Sequence, residues 1–171
     1  AAWRTQWEAD HPLGWFEQRY AYGVKGKYFH WILAHNAIVI IDDTLFVHGG
    51  ISPKYLGTTA EDINNRIRRE LQNFSLLEGG MITDADGPLW YRGLAEGDEA
   101  ELEEHVRSLL SQFGVKRIVV GHTPLIATVV PRFRGAVLAA DVGLSKPFGG
   151  PPAYVVIEKG SASTVHRERK L

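Results

Sequence analysis

The chain has 171 residues, 44% hydrophobic and 23% charged, with nineteen basic and twenty acidic side chains giving a formal charge of -1. Such a composition suits one globular domain with a real core, and it excludes an overall field that would gather nucleic acid or an anionic membrane, so that any recognition of an anionic group must be local. The absence of cysteine excludes disulfides, thiolate metal sites and thiol nucleophiles, and no apolar run approaches the roughly 20 residues of a membrane span; a soluble protein of cytoplasm or periplasm is expected.

The opening Ala1-Ala2-Trp3-Arg4 lacks an initiator Met and a signal-peptide pattern, which points to a processed, excised or truncated chain. Residues 1–36 hold Trp3, Trp7, Trp15 and Trp31 with Phe16, Tyr20, Tyr22, Tyr28 and Phe29 between them, broken by Pro12, Gly14, Gly23 and Gly26. Short helices and loops are predicted there. So many aromatics would make a large apolar patch, so the segment is expected to pack on residues 37–171, the alternative being that it covers a surface no longer present.

From Ala37 the pattern changes. Ala37 to Ile41, a turn at Asp42-Asp43, and Thr44 to Val47 read as a hairpin of two buried strands. Ala60 to Leu77 has Ile63, Ile67, Leu71 and Phe74 at helical spacing behind a Thr58/Thr59 cap, with Arg66, Arg68 and Arg69 among acidic residues on a solvated face. Gly79 to Gly97 reads as loop, with a turn at Asp84-Ala85-Asp86-Gly87. Asp98 to Phe113 is a second amphipathic helix, N-capped by Asp98 and closed by Gly114. Further strands are predicted at Arg117–Val120, Ala127–Val130, Ala136–Ala140 and Ala153–Ile157, with Ser163–His166 as a last edge strand. This order is that of an α/β domain with a mixed sheet.

Two of the seven histidines share a context: each follows an apolar, β-branched strand and is flanked by glycine, in Val47-His48-Gly49-Gly50 and Val120-Gly121-His122-Thr123. Ligands gather at the carboxyl ends of strands, and glycine lets backbone turn sharply there. Neutral imidazole suits Mn, Fe, Zn or Ni, but two histidines need oxygen ligands beside them to hold a catalytic ion.

His48-Gly49-Gly50-Ile51-Ser52-Pro53 and Gly121-His122-Thr123-Pro124 resemble the two C-terminal metal motifs of calcineurin-like metallophosphoesterases, especially the phosphoprotein phosphatase branch and its bacterial Shewanella-like relatives. Gly87 to Gly93 and Ala140 to Ser145 are also similar to segments of that group. The resemblance implies the C-terminal half of a four-layer α/β/β/α sandwich and a centre of two divalent metal ions, Mn foremost. It implies His48 and His122 as metal ligands, Arg92 as phosphate clamp, and a metal-bridged hydroxide attacking a phosphorylated protein, on serine or threonine, or a small phosphoester. Gly49, Gly50 and Gly121 would support the site. Asp141 would either orient a histidine or cap a turn, and Arg92 on its residues alone is equally a surface arginine. Trp90 and Tyr91 read as core aromatics, with stacking on a base or lining a peptide groove as alternatives.

The family's Gly-Asp-x-His, Gly-Asp-x-x-Asp-Arg-Gly and Gly-Asn-His-Glu motifs do not occur in these residues. The expectation is therefore a second half whose partner is a missing N-terminal half of the same domain. The competing readings are a non-catalytic fragment or binding module, and a nucleotide or dinucleoside polyphosphate hydrolase with the same metal chemistry.

Overall fold

In a computed structural model, which describes residues 2–125, 128–166 and the backbone of 169–170, the chain divides into two units, Ala1–Asn36 and Ala37–Leu171. The first consists of α1 (Ala2–Asp10), α2 (Trp15–Tyr22) and α3 (Lys27–Leu33). Its aromatic density is used locally: Trp7 stacks on His11 at 4.5 Å, Trp15 meets His11 edge-on at 4.3 Å, and the Arg19 guanidinium lies 4.8 Å from the Trp15 ring.

The second unit opens with the hairpin of β1 (Ile38–Ile41) and β2 (Thr44–Val47), turning at Asp42 with φ +52°. Next comes α4 (Ala60–Gln72), whose N-cap Thr59 accepts the Asp62 N–H at 3.1 Å. The helix stops short of the predicted Leu77. Asn73 leaves helical geometry and its side-chain oxygen accepts the N–H and hydroxyl of Ser75, so the chain continues as a single 3-10 turn over Phe74–Leu76. A one-turn helix α5 (Gly93–Glu96) ends the following loop. In α6 (Glu99–Phe113) the Asp98 carboxylate accepts the N–H groups of Ala100 and Glu101, and Gly114 closes it at φ +63°.

Strands β3 (Arg117–Val120), β4 (Val130–Arg132) and β5 (Val137–Ala139) join the hairpin in one sheet of order β1-β2-β3-β5-β4. The pairs β2/β3 and β3/β5 are parallel while β1/β2 and β4/β5 are antiparallel, so the sheet is mixed. β4 runs later than predicted, through Pro131 on an edge where a missing donor is tolerated; Ala127, where it was expected to begin, lies outside the described residues. A second sheet holds β6 (Ala153–Glu158), β7 (Ser161–His166) and β8 (Arg169–Lys170). Contrary to the sequence expectation, β7 is its middle strand.

The main core joins Ile63 and Ile67 of α4, Leu94 of α5 and Val106 and Leu109 of α6 to Leu45, Val47, Ile118, Val120, Val137 and Ala139 of the sheet. Each fully buried Leu or Ile contributes roughly 1.5–3 kcal/mol. The other face of β5 places Leu138 against Val129, Val142 and Ala153. The hairpin corrects one expectation: β2 is buried, but β1 is an edge strand with Val39, Ile40 and Ile41 exposed.

Candidate functional site

Val47 and Val120 are register partners in adjacent parallel strands, so β2 and β3 release the residues after them at the same edge of the sheet. The Gly121 N–H donates to the His48 carbonyl at 2.8 Å, carrying the ladder one step further. The chain then turns through His122 at φ +66°. A histidine in the left-handed region is uncommon and stores on the order of 1 kcal/mol, strain of the kind concentrated at functional sites.

His48 and His122 are thereby brought together, with Nε2 of the first 3.0 Å from Nδ1 of the second and the rings inclined at 54°. Nitrogens so placed either share a proton or aim two lone pairs at one ion. With metal–nitrogen bonds of about 2.1 Å, two donors meeting near a right angle stand about 3.0 Å apart, so the pair fits one divalent cation in donor type and spacing. Among the described residues no group of three His, Asp or Glu side chains gathers that could hold an ion. To hold such an ion the pair would supply two ligands and would need oxygen donors from elsewhere.

Burial, then the Arg92 guanidinium and His48, hold the His122 imidazole below its usual protonation range, against an opposing pull from the Asp141 carboxylate. That favours the neutral ring that ligates a metal. Its Nε2 is buried with no hydrogen-bond partner among the described residues.

Arg92 sits at the N-cap of α5 and reaches toward the same place, its Nη1 lying 3.4 Å from the Thr123 hydroxyl and 3.5 Å from the His122 carbonyl. With Thr83, Ala85 and Trp90 it lines an open recess of ≈ 470 Å³. The core placement expected for Trp90 is not found: it is 48% exposed, with its Nε1–H donating to the Ile82 carbonyl at 2.7 Å and its ring set edge-on to His122 at 5.2 Å. The hydrogen bond to Ile82 holds it outside the core. Tyr91 does pack against the core.

The glycines serve close approach. The N–H groups of Gly49 and Gly50 both donate to the Pro88 carbonyl, at 2.8 and 3.2 Å. A Cβ on Gly49 would stand 3.0 Å from the Leu89 backbone, and one on Gly50 would stand 3.1 Å from the Tyr91 ring. Only residues without side chains let the segment carrying Trp90 and Arg92 press on the His48 turn. Asp141 caps a turn, its Oδ1 accepting the Gly143 N–H at 2.9 Å, and acts on His122 through charge.

Three neighbours escape a reading based on strand-end context. Thr123 is buried beside Arg92. His105, buried on α6, donates through Nε2 to the Ile51 carbonyl at 2.7 Å and anchors the chain just after Gly50; its place beside Val106, on the apolar stripe of that helix, was the available signal. Glu70 is the third, assigned to a solvated face and found buried.

No protein-family model matches the chain. It is 29% identical over 138 residues to Shewanella-like protein phosphatase 2 of Arabidopsis thaliana, a match covering 74% of this chain and 34% of that protein. It is 28% identical over 153 residues to an uncharacterized protein of Schizosaccharomyces pombe, covering 84% of this chain and 46% of that one. Among solved structures, the cold-active protein-tyrosine phosphatase of a psychrophilic Shewanella species superposes with a TM-score of 0.74 at 27% identity, covering 88% of this chain and 46% of its own. A further structure of a cold-active protein tyrosine phosphatase shares the fold, with a TM-score of 0.76 at 24% identity over 98% of this chain and 49% of that one. The chain thus spans between a third and a half of the length of these relatives.

Proposed function

From its homology to the Shewanella-like phosphatases, we propose that the chain contributes the His48 and His122 side of a metal-dependent phosphomonoester hydrolase centre. The observation that carries this reading is the 3.0 Å approach of His48 Nε2 to His122 Nδ1 at the ends of two parallel strands. Divalent cations in this centre, Mn foremost with Fe, Zn or Ni also suited to imidazole, would supply Lewis acidity to a phosphoryl oxygen and lower the pKa of the attacking water. The two histidines would ligate one ion. Oxygen ligands for it and for a second ion would come from polypeptide beyond these residues, as from the N-terminal half of the same domain.

The residues of this chain have separate tasks in that scheme. Arg92 presents a planar, permanently charged fork at the mouth of the recess, suited to two phosphoryl oxygens and to the charge that grows on them in the transition state. Thr123 and the His122 carbonyl accept from its Nη1 and aim it. His122, biased toward the neutral form, stays available as a ligand at neutral pH.

For substrate class we favour a phosphorylated protein side chain. A half-exposed, hydrogen-bonded indole next to Arg92 suits an aryl ester such as phosphotyrosine better than the serine or threonine ester, and the relative of known structure is a protein-tyrosine phosphatase. The test is hydrolysis of phosphotyrosine and phosphoserine peptides by the protein together with the polypeptide that completes the centre, first stripped with chelator and then given Mn²⁺. The reading expects activity that vanishes with the metal, returns with it and favours phosphotyrosine. Full activity after stripping would overturn it.

A further inference from the structure

The buried carboxylate of Glu70 lies outside the pair of histidines, yet its contacts lead to them. On α4, and only 4% exposed, it accepts the Met81 N–H through Oε1 and the Ile82 N–H through Oε2, both at 2.9 Å, while Arg66 Nε donates to Oε1 at 2.9 Å. Burial raises its proton affinity, but the two backbone N–H bonds and Arg66 outweigh that and leave it ionised at neutral pH. Both carboxylate oxygens are thus spent on fixing one peptide segment. The next bond follows directly: the carbonyl of Ile82, the residue whose N–H Glu70 holds, accepts the Trp90 indole N–H at 2.7 Å. The indole in turn stands edge-on to His122 at 5.2 Å. Arg92 is two residues further on.

We propose that Glu70 is a positioning residue for the site: by clamping Met81 and Ile82 it fixes the carbonyl that holds Trp90 against His122, and so sets the wall of the recess that Trp90 and Arg92 share. This rests on the proposed function for its consequence, but its geometry can be tested without substrate or metal. A purely structural clamp would steady α4 against the loop and leave the surroundings of His122 unchanged. A positioning residue changes what the His122 ring feels, because an aromatic neighbour displaces the resonances of protons near its edge or face.

The experiment follows the His122 ring-proton resonances by NMR in wild type, Glu70→Gln, Trp90→Phe and the double variant. Glu70→Gln keeps the shape and turns one acceptor into a donor facing a backbone N–H. Trp90→Phe keeps a ring but removes the bond to Ile82, at a half-exposed position outside the core, so it reports even where Glu70→Gln lowers stability. The inference expects both single variants to shift the His122 resonances, and the double variant to lie close to Trp90→Phe, since Glu70 acts through that bond. Resonances unmoved by Glu70→Gln in a folded protein, or unmoved by Trp90→Phe, would overturn it. Shifts in the two single variants that simply add in the double would also overturn it. Loss of phosphatase activity in every protein, wild type included, would count against the proposed function and not against this placement.

Discussion

Val47 stands opposite Val120 in a parallel ladder, and this register places His48 and His122 at one sheet edge although 74 positions separate them in the sequence. An antiparallel pairing of the same two strands would send the two histidines to opposite ends of the sheet. Parallel pairing requires a long crossover between β2 and β3, and α4, α5 and α6 provide it.

Arg92→Lys tests the phosphate clamp. A point charge replaces a two-pronged donor, so kcat/KM for a phosphomonoester is expected to fall about 100-fold, the scale of losing one donor to a developing anion. Wild-type steady-state kinetics in the variant would remove Arg92 from the site.

The glycines predict a contrast. Gly49→Ala places a methyl group 3.0 Å from the Leu89 and Trp90 backbone, whereas at Gly121 the nearest atom is the His48 carbonyl oxygen, at an ordinary 3.4 Å. Chemical denaturation should show Gly49→Ala destabilised by about 1–3 kcal/mol and Gly121→Ala changed by well under half of that. Equal effects would contradict the close approach described at the His48 turn.

The Asp98 cap is worth testing because α6 carries His105. Its carboxylate accepts two free N–H groups, and Asp98→Ala should cost about 1 kcal/mol in denaturant unfolding. A change below a few tenths would show the cap to be idle.

At Asp84 a loss of stability in acid is expected. The Lys54 ammonium at 2.5 Å and the Tyr55 hydroxyl at 2.6 Å, with the Asp86 N–H, hold its carboxyl down at about 2. A carboxyl whose folded value lies below its unfolded value of about 3.9 adds stability above that pH and loses it as the pH falls toward about 2. Unfolding midpoints measured from about pH 5 downward should therefore fall less steeply in Asp84→Asn than in wild type. The Tyr55 hydroxyl, pushed up to about 12 by burial and then by Asp84, should titrate at lower pH in the variant by absorbance. Parallel acid profiles would mean that the ion pair contributes nothing.

Much of this arrangement was legible in the sequence wherever one local rule decided the outcome. Thr59 and Asp98 cap their helices because short oxygen-bearing side chains reach backbone N–H groups two or three residues on. His48 and His122 were marked by the glycine beside each at a strand end. What stayed hidden depends on partners distant in sequence. The apolar string Ile38 to Ile41 reads the same for a central or an edge strand, and only sheet order exposes it. Glu70 follows three arginines within five positions and reads as solvated, yet the N–H groups of Met81 and Ile82 draw it inside. Trp90 reads as core until the Ile82 carbonyl claims its N–H.

The most direct test is calorimetric titration of Mn²⁺ into the protein together with the polypeptide that completes the centre, with His48→Ala and His122→Ala compared to wild type. Saturable binding is expected in wild type, with a loss of more than about 100-fold in affinity in each variant, because a removed ligand costs more than the 10–100-fold typical of an outer-shell partner. The two losses should not add in the double variant, since both nitrogens face one ion. Undiminished Mn²⁺ affinity in either single variant would contradict the shared cation.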